Sequence, residues 1–109
     1  MQININHTYG KNFIDGNEQS YRLGRLVFTS HRISIVSEIP KDTNTMIGTI
    51  SNFKPIVEVT APISRTDMGL DNGYGRIGYT PAGGIYLLTH KTIPKDVVMQ
   101  YTLFYILEG

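Results

Sequence analysis

Apolar residues recur at every second position along much of this chain, and no window sustains the spacing of an amphipathic helix. Period 2 is the signature of strands that bury one face, so the pattern predicts an all-β chain. In residues 21–30, Leu26 and Phe28 fall on one side and Leu23 and Val27 on the other. The alternation continues through residues 32–36, predicting one long strand, or two strands with a kink near Ser30 and His31. Gly24 marks a bulge or a close backbone approach within it. Short strands are predicted at residues 47–50 and 56–60, the second closed by Ala61 and Pro62. Residues 74–79 and 84–89 flank Thr80-Pro-Ala-Gly83 and read as a hairpin. Between these elements, residues 65–73 are rich in Gly, Asp and Asn and read as an exposed loop, the kind of segment on which binding groups tend to sit.

Residues 97–107 form the most apolar strand. One face carries Val97, Met99, Tyr101, Leu103, Tyr105 and Leu107; the other carries Val98, Gln100, Thr102, Phe104 and Ile106. A strand apolar on both faces belongs inside a sandwich or at a subunit interface, because an exposed edge of this kind would aggregate. Met99, Tyr101, Leu103 and Tyr105 are the expected residues of such an interface between copies of the chain. Strands spaced roughly ten residues apart between Pro and Gly punctuation predict a single-domain antiparallel β-sandwich or jelly-roll of about seven to nine strands. The domain is expected to span residues 1–109, with 1–20 a lead-in strand or a linker from a shaft.

A length of 109 residues suits one core, and the charges, 10 Lys plus Arg against 9 Asp plus Glu, are scattered singly. Without a concentrated basic patch, neither nucleic acid nor an anionic membrane is an expected partner. The chain has no Cys, which removes disulfides, thiolate nucleophiles and Cys-ligated zinc. The opening segment lacks the basic and apolar regions of a signal peptide, and no stretch is long enough to span a bilayer as a helix.

No catalytic constellation stands out, so the chain is expected not to be an enzyme. His7, His31 and His90 are far apart in sequence, and nothing in their spacing favours a zinc site. Asp67, Asp71 and Asn72 offer hard oxygen ligands, but without the acidic alternation or closing Glu of a calcium loop. Gly73-Tyr-Gly75 and Ala82-Gly-Gly84 lack the ending of a phosphate loop. No cofactor or metal is therefore assigned. The candidate binding group is the mixture of Arg65, Asp67, Asp71, Asn72 and Tyr74, which combines charge, amide and aromatic hydroxyl in a form suited to a hydroxyl-rich or charged ligand.

The order of short motifs adds a family likeness. It runs Tyr21-Arg-Leu-Gly24, Glu38-Ile-Pro40, Met46-Ile-Gly-Thr-Ile50, Phe53-Lys-Pro55, Ile56-Val-Glu-Val-Thr-Ala-Pro62, Tyr74-Gly-Arg-Ile77, Gly83-Gly-Ile-Tyr86 and Gln100-Tyr-Thr-Leu-Phe-Tyr105. This succession resembles the C-terminal head domains of phage tail fibres and lactococcal-type receptor-binding proteins. The resemblance implies a virion protein of the tail-fibre or baseplate tip, a homotrimer that attaches to host cell-surface polysaccharide and contacts other tail or baseplate proteins. Trimerisation would turn weak sugar contacts into avidity. The other readings are a structural virion module, capsid-decorating or baseplate, that binds only protein, and a small glycan hydrolase needing two convergent acids.

Overall fold

In the computed structural model, which describes residues 1–68 and 73–108, alternation becomes nine strands among the described residues. They are β1 (Gln2–Ile3), β2 (His7–Tyr9), β3 (Phe13–Leu23), β4 (Leu26–Ile35), β5 (Asn44–Ile50), β6 (Val59–Arg65), β7 (Gly75–Tyr79), β8 (Gly84–Thr89) and β9 (Val98–Ile106). All pairings are antiparallel and join into one curled sheet of order β1-β3-β4-β9-β6-β7-β8-β5-β2. Among the described residues, no helix is long and apolar enough to cross a membrane.

The curl rests on β6. Its first part, from Val59 to Ile63, pairs with β7, and only Ser64 and Arg65 pair with β9. Pro62 sits where the strand has a partner on one side alone, a position that tolerates its missing N–H. The strand predicted at residues 56–60 therefore starts later and runs through Pro62, while Ile56 and Val57 stay exposed. Both halves of the curl turn their inner faces to one core, in which Val27, Ile33, Ile77, Ile85 and Ile93 are fully buried.

The predicted long strand at residues 21–36 is two strands, and the break lies at Gly24. Gly24 adopts φ 58°, so the residue read as a bulge makes a tight turn between Leu23 and Leu26, and no kink forms at Ser30 and His31. The predicted hairpin forms with its turn at Thr80–Gly83, where Gly83 has φ 95°. Residues 1–20 supply β1, β2 and most of β3, and Ile3 and Ile5 reach the core.

The alternation of β9 forms as expected, but the interface assigned to it needs correction. Met99, Tyr101, Leu103 and Tyr105, expected at a trimer interface, are 0%, 2%, 2% and 3% exposed inside the protomer's own core. They have no surface left for a second copy, because the curled sheet closes over them. The outward face of the same strand carries Val98, Phe104 and Ile106, with Phe104 63% exposed and its ring 5.0 Å from that of Phe28.

Loop ends and hairpin ends separate. The links β2–β3, β4–β5 and β8–β9 lie at one end, together with the end of β6 and the start of β7, as the registers Tyr9↔Gly48, Asn44↔Leu88 and Arg65↔Met99 require. Met1 and Leu107 lie at the other end, bonded to Arg22 and Arg25 beside the β3–β4 turn.

Opposite faces of β9 should answer differently to truncation. Leu103→Ala is expected to lower stability by about 2–5 kcal/mol, and Phe104→Ala to lower that of the isolated protomer by less than about 1 kcal/mol. Urea unfolding of both variants at one low protein concentration checks this, and equal losses would contradict the assignment of faces.

Candidate functional site

The loop end holds two features. The first is a groove of about 460 Å³ between the β2–β3 and β4–β5 links, lined by Lys11, Asn12, Phe13, Glu38, Thr43 and Thr45 among others. Its volume falls in the range of small-ligand clefts, about 300–1,000 Å³, and its rim mixes charges, amide and hydroxyls around an aromatic ring. The second is a ledge where β6 ends. The Arg65 guanidinium donates to both oxygens of Asp67, Nε at 2.9 Å and Nη2 at 2.8 Å, and its Nη1 lies 3.4 Å from the Tyr74 hydroxyl. The fork's hydrogen bonds hold the Asp67 carboxyl below its ordinary range.

Three of the five candidate ligand-binding residues thus meet on this ledge. Asp71 and Asn72 lie outside the described residues. Tyr74 is 8% exposed and the Lys91 ammonium stands 5.4 Å from its ring centre, so its ring is not open to stack on a sugar; its hydroxyl reaches Arg65 instead.

A third feature was not expected from the sequence: a polar cluster inside the curl. His7 on β2 and His31 on β4 stand with ring centroids 4.3 Å apart, both side chains wholly removed from solvent. Asp15 and Glu18 reach them from β3 because of a bulge. Asp15 pairs with Ile33 and Glu18 with His31, two positions on the same inner face, although a regular strand would point residues three apart to opposite faces. Gly16 and Asn17 together stand opposite the single residue Arg32, and a Cβ on Gly16 would sit 2.8 Å from the Arg32 carbonyl oxygen, so glycine is required there.

Hydrogen bonds define the tautomers. His7 Nδ1 faces the Ile5 carbonyl at 2.9 Å and Glu18 Oε1 at 3.2 Å, both acceptors, so Nδ1 carries the proton. Its Nε2 stands 2.7 Å from the Tyr79 hydroxyl. His31 is the other tautomer: Nε2 donates to Asp15 at 2.5 Å, and Nδ1 faces the hydroxyls of Tyr101 at 2.9 Å and Tyr9 at 3.0 Å. Tyr101 also touches Tyr79 at 2.7 Å and Tyr9 at 2.9 Å. Glu18 Oε2 accepts from the Ile5 amide at 2.9 Å and Ser20 at 2.6 Å.

Burial alone would push the Glu18 carboxyl up, but hydrogen bonds from His7, Ser20 and the Ile5 amide outweigh it and hold it at about 2. Burial, with repulsion from His7, lowers His31 against the opposing pull of Asp15 and Glu18. Burial likewise raises Tyr9, Tyr79 and Tyr101, which stay protonated. The third histidine, His90, is exposed outside the cluster. Comparison with known proteins finds no family model and no curated protein that matches this sequence.

Both shifts make acid destabilising in a metal-free buffer containing chelator. Below the ordinary histidine value of 6.5 the unfolded His31 takes up a proton that the folded ring resists, and below 4.5 the unfolded Glu18 does the same until the pH nears about 2. Urea unfolding should show stability falling in two stages, with the lower stage flattened in Glu18→Gln; a flat wild-type profile between about pH 7 and 3 would contradict this. Separately, Tyr101→Phe removes one hydroxyl that touches Tyr9, Tyr79 and His31, and should lower stability by about 1–3 kcal/mol.

Proposed function

We propose that this chain is a receptor-binding head of a phage tail fibre or baseplate, holding host cell-surface saccharide at its loop end without turning it over. The order of short motifs along the sequence is the basis for the phage assignment. What carries the choice of site is the gathering of a groove and a charged ledge at one end of the sheet.

Sugars suit this end chemically. Lys11, Asn12, Glu38, Thr43 and Thr45 offer donors and acceptors for ring hydroxyls, and Phe13 offers an apolar contact. The Arg65–Asp67 fork is a second contact that rewards an acidic or hydroxyl-rich group. We read the curled sheet as a β-sandwich, not a jelly-roll, since its neighbours β3–β4 and β6–β7–β8 are linked directly along the chain.

The homotrimer belongs to the same proposal, with its interface moved to the outward side of β3, β4 and β9. Tyr21, Leu23, Leu26, Phe104 and Ile106 are all more than 40% exposed there, and the tilted Phe28 and Phe104 rings form the centre of the patch. A second copy is the occupant that the motif resemblance implies. The same patch would also serve the alternative reading, a structural virion module seated on another tail or baseplate protein.

Adsorption to host-cell polysaccharide should fall at least about tenfold in the pair Asn12→Ala and Glu38→Ala, and by less in Arg65→Ala. Retained adsorption in both would remove the saccharide site. Sedimentation should report three protomers that separate in Phe104→Glu, and a wild-type monomer at micromolar concentration would remove the trimer.

A further inference from the structure

The cluster between β2, β3 and β4 has a composition that hydrogen bonding alone does not explain. Two carboxylates, Asp15 and Glu18, converge on two imidazoles, and their ion-pair partners among the described residues are those imidazoles alone, with no Lys or Arg. With neutral rings, the group holds two negative charges beside two imidazoles that are wholly removed from solvent, the Glu18 side chain being 17% exposed and that of Asp15 48%. A cation is what such a set attracts.

The hydroxyl protons also run short. With the His7 ring neutral, Tyr79 gives its proton to His7 Nε2, and the contact between Tyr79 and Tyr101 then uses the Tyr101 proton. The remaining proton, on Tyr9, cannot fill both Tyr9···Tyr101 and the two contacts to His31 Nδ1. Oxygen and nitrogen atoms that close together without a proton between them repel, which again favours positive charge nearby.

We infer that His7, His31 and Glu18 form a binding site for one divalent first-row transition ion of the zinc kind. Each offers one ligand atom, and these atoms lie within 4.8 Å of one another. Tetrahedral zinc with bonds of about 2.0–2.2 Å needs ligand atoms about 3.4 Å apart, so small side-chain rotations close the set. Two imidazoles and a carboxylate are a recurrent zinc ligand set, and harder cations such as calcium or magnesium prefer oxygen alone.

Supporting contacts are in place. Ser20 and the Ile5 amide hold Glu18 Oε2 and leave Oε1 facing His7. Asp15 at His31 supplies the second negative charge from a side chain that is 48% exposed. The three ligands come from three strands, so an ion would tie β2, at one margin of the sheet, to β3 and β4. This site is independent of the saccharide reading.

The test uses the full chain, stripped with chelator and titrated with Zn²⁺ and then Co²⁺. Calorimetry and elemental analysis should find one ion per chain, and Co²⁺ should give the visible spectrum of a low-coordinate nitrogen and oxygen site. In NMR of the wild-type chain, the ring signals of His7 and His31 should move on Zn²⁺ addition while those of His90 stay. Glu18→Gln should weaken binding at least about tenfold, and His90→Ala should not. Absence of binding at about 0.1 mM Zn²⁺, shifts confined to His90, or unchanged affinity in a folded Glu18→Gln would each overturn the site. If that variant does not fold, the wild-type NMR result decides.

Discussion

The ladder between β4 and β9 is the constraint on which the rest depends. It runs from Leu26 opposite Ile106 to Ser34 opposite Val98 without a register break. Because side chains alternate, a slip of one residue would turn every inward group outward. The observed register sends Val27, Thr29, His31, Ile33 and Ile35 inward together with Met99, Tyr101, Leu103 and Tyr105. It also sets His31 opposite Tyr101, so the apolar core and the polar cluster are consequences of one pairing.

Interior polarity is tolerated because it is paired. Among the described residues, no buried side-chain nitrogen or oxygen lacks a partner. A satisfied hydrogen bond adds only about 1 kcal/mol, whereas an orphaned buried group loses about 1–3 kcal/mol, so the network matters more for excluding wrong arrangements than for raw stability. Tyr105 shows the same logic on a small scale: its ring fills the core, and its hydroxyl donates to the Phe53 carbonyl at 2.8 Å.

Much of the fold is legible in the chain, for identifiable reasons. The hairpin at residues 75–89 is visible because Thr80-Pro-Ala-Gly83 supplies turn chemistry between alternating runs. The parity of β9 is equally visible, but the choice of its inner face is not. Both faces carry large apolar groups, and the tie is broken by hydroxyl partners remote in sequence, Phe53 for Tyr105 and Tyr9 for Tyr101. Arg65 and Asp67 meet because two residues at a strand end are close whatever the fold. His7 and His31 meet through the sheet's curl, which no local pattern announces. A trace does exist: Thr29 and His31 occupy the inward parity of an otherwise apolar strand, and polar groups at such positions imply polar company.

One local irregularity connects the interior to the loop end. The bulge at Gly16 and Asn17 brings both carboxylates to the inner face, and a bulge also bends its strand. Ahead of it, β3 begins at Phe13, which lines the groove and packs against Tyr9 with ring centroids 6.4 Å apart. Tyr9 in turn places its hydroxyl on His31 and Tyr101. A side chain of the buried cluster, Tyr9, therefore packs against one of the groove wall, Phe13. Ordering the cluster holds Tyr9 in place, and Tyr9 supports Phe13, so the geometry of the groove depends on polar contacts that no ligand in the groove would touch.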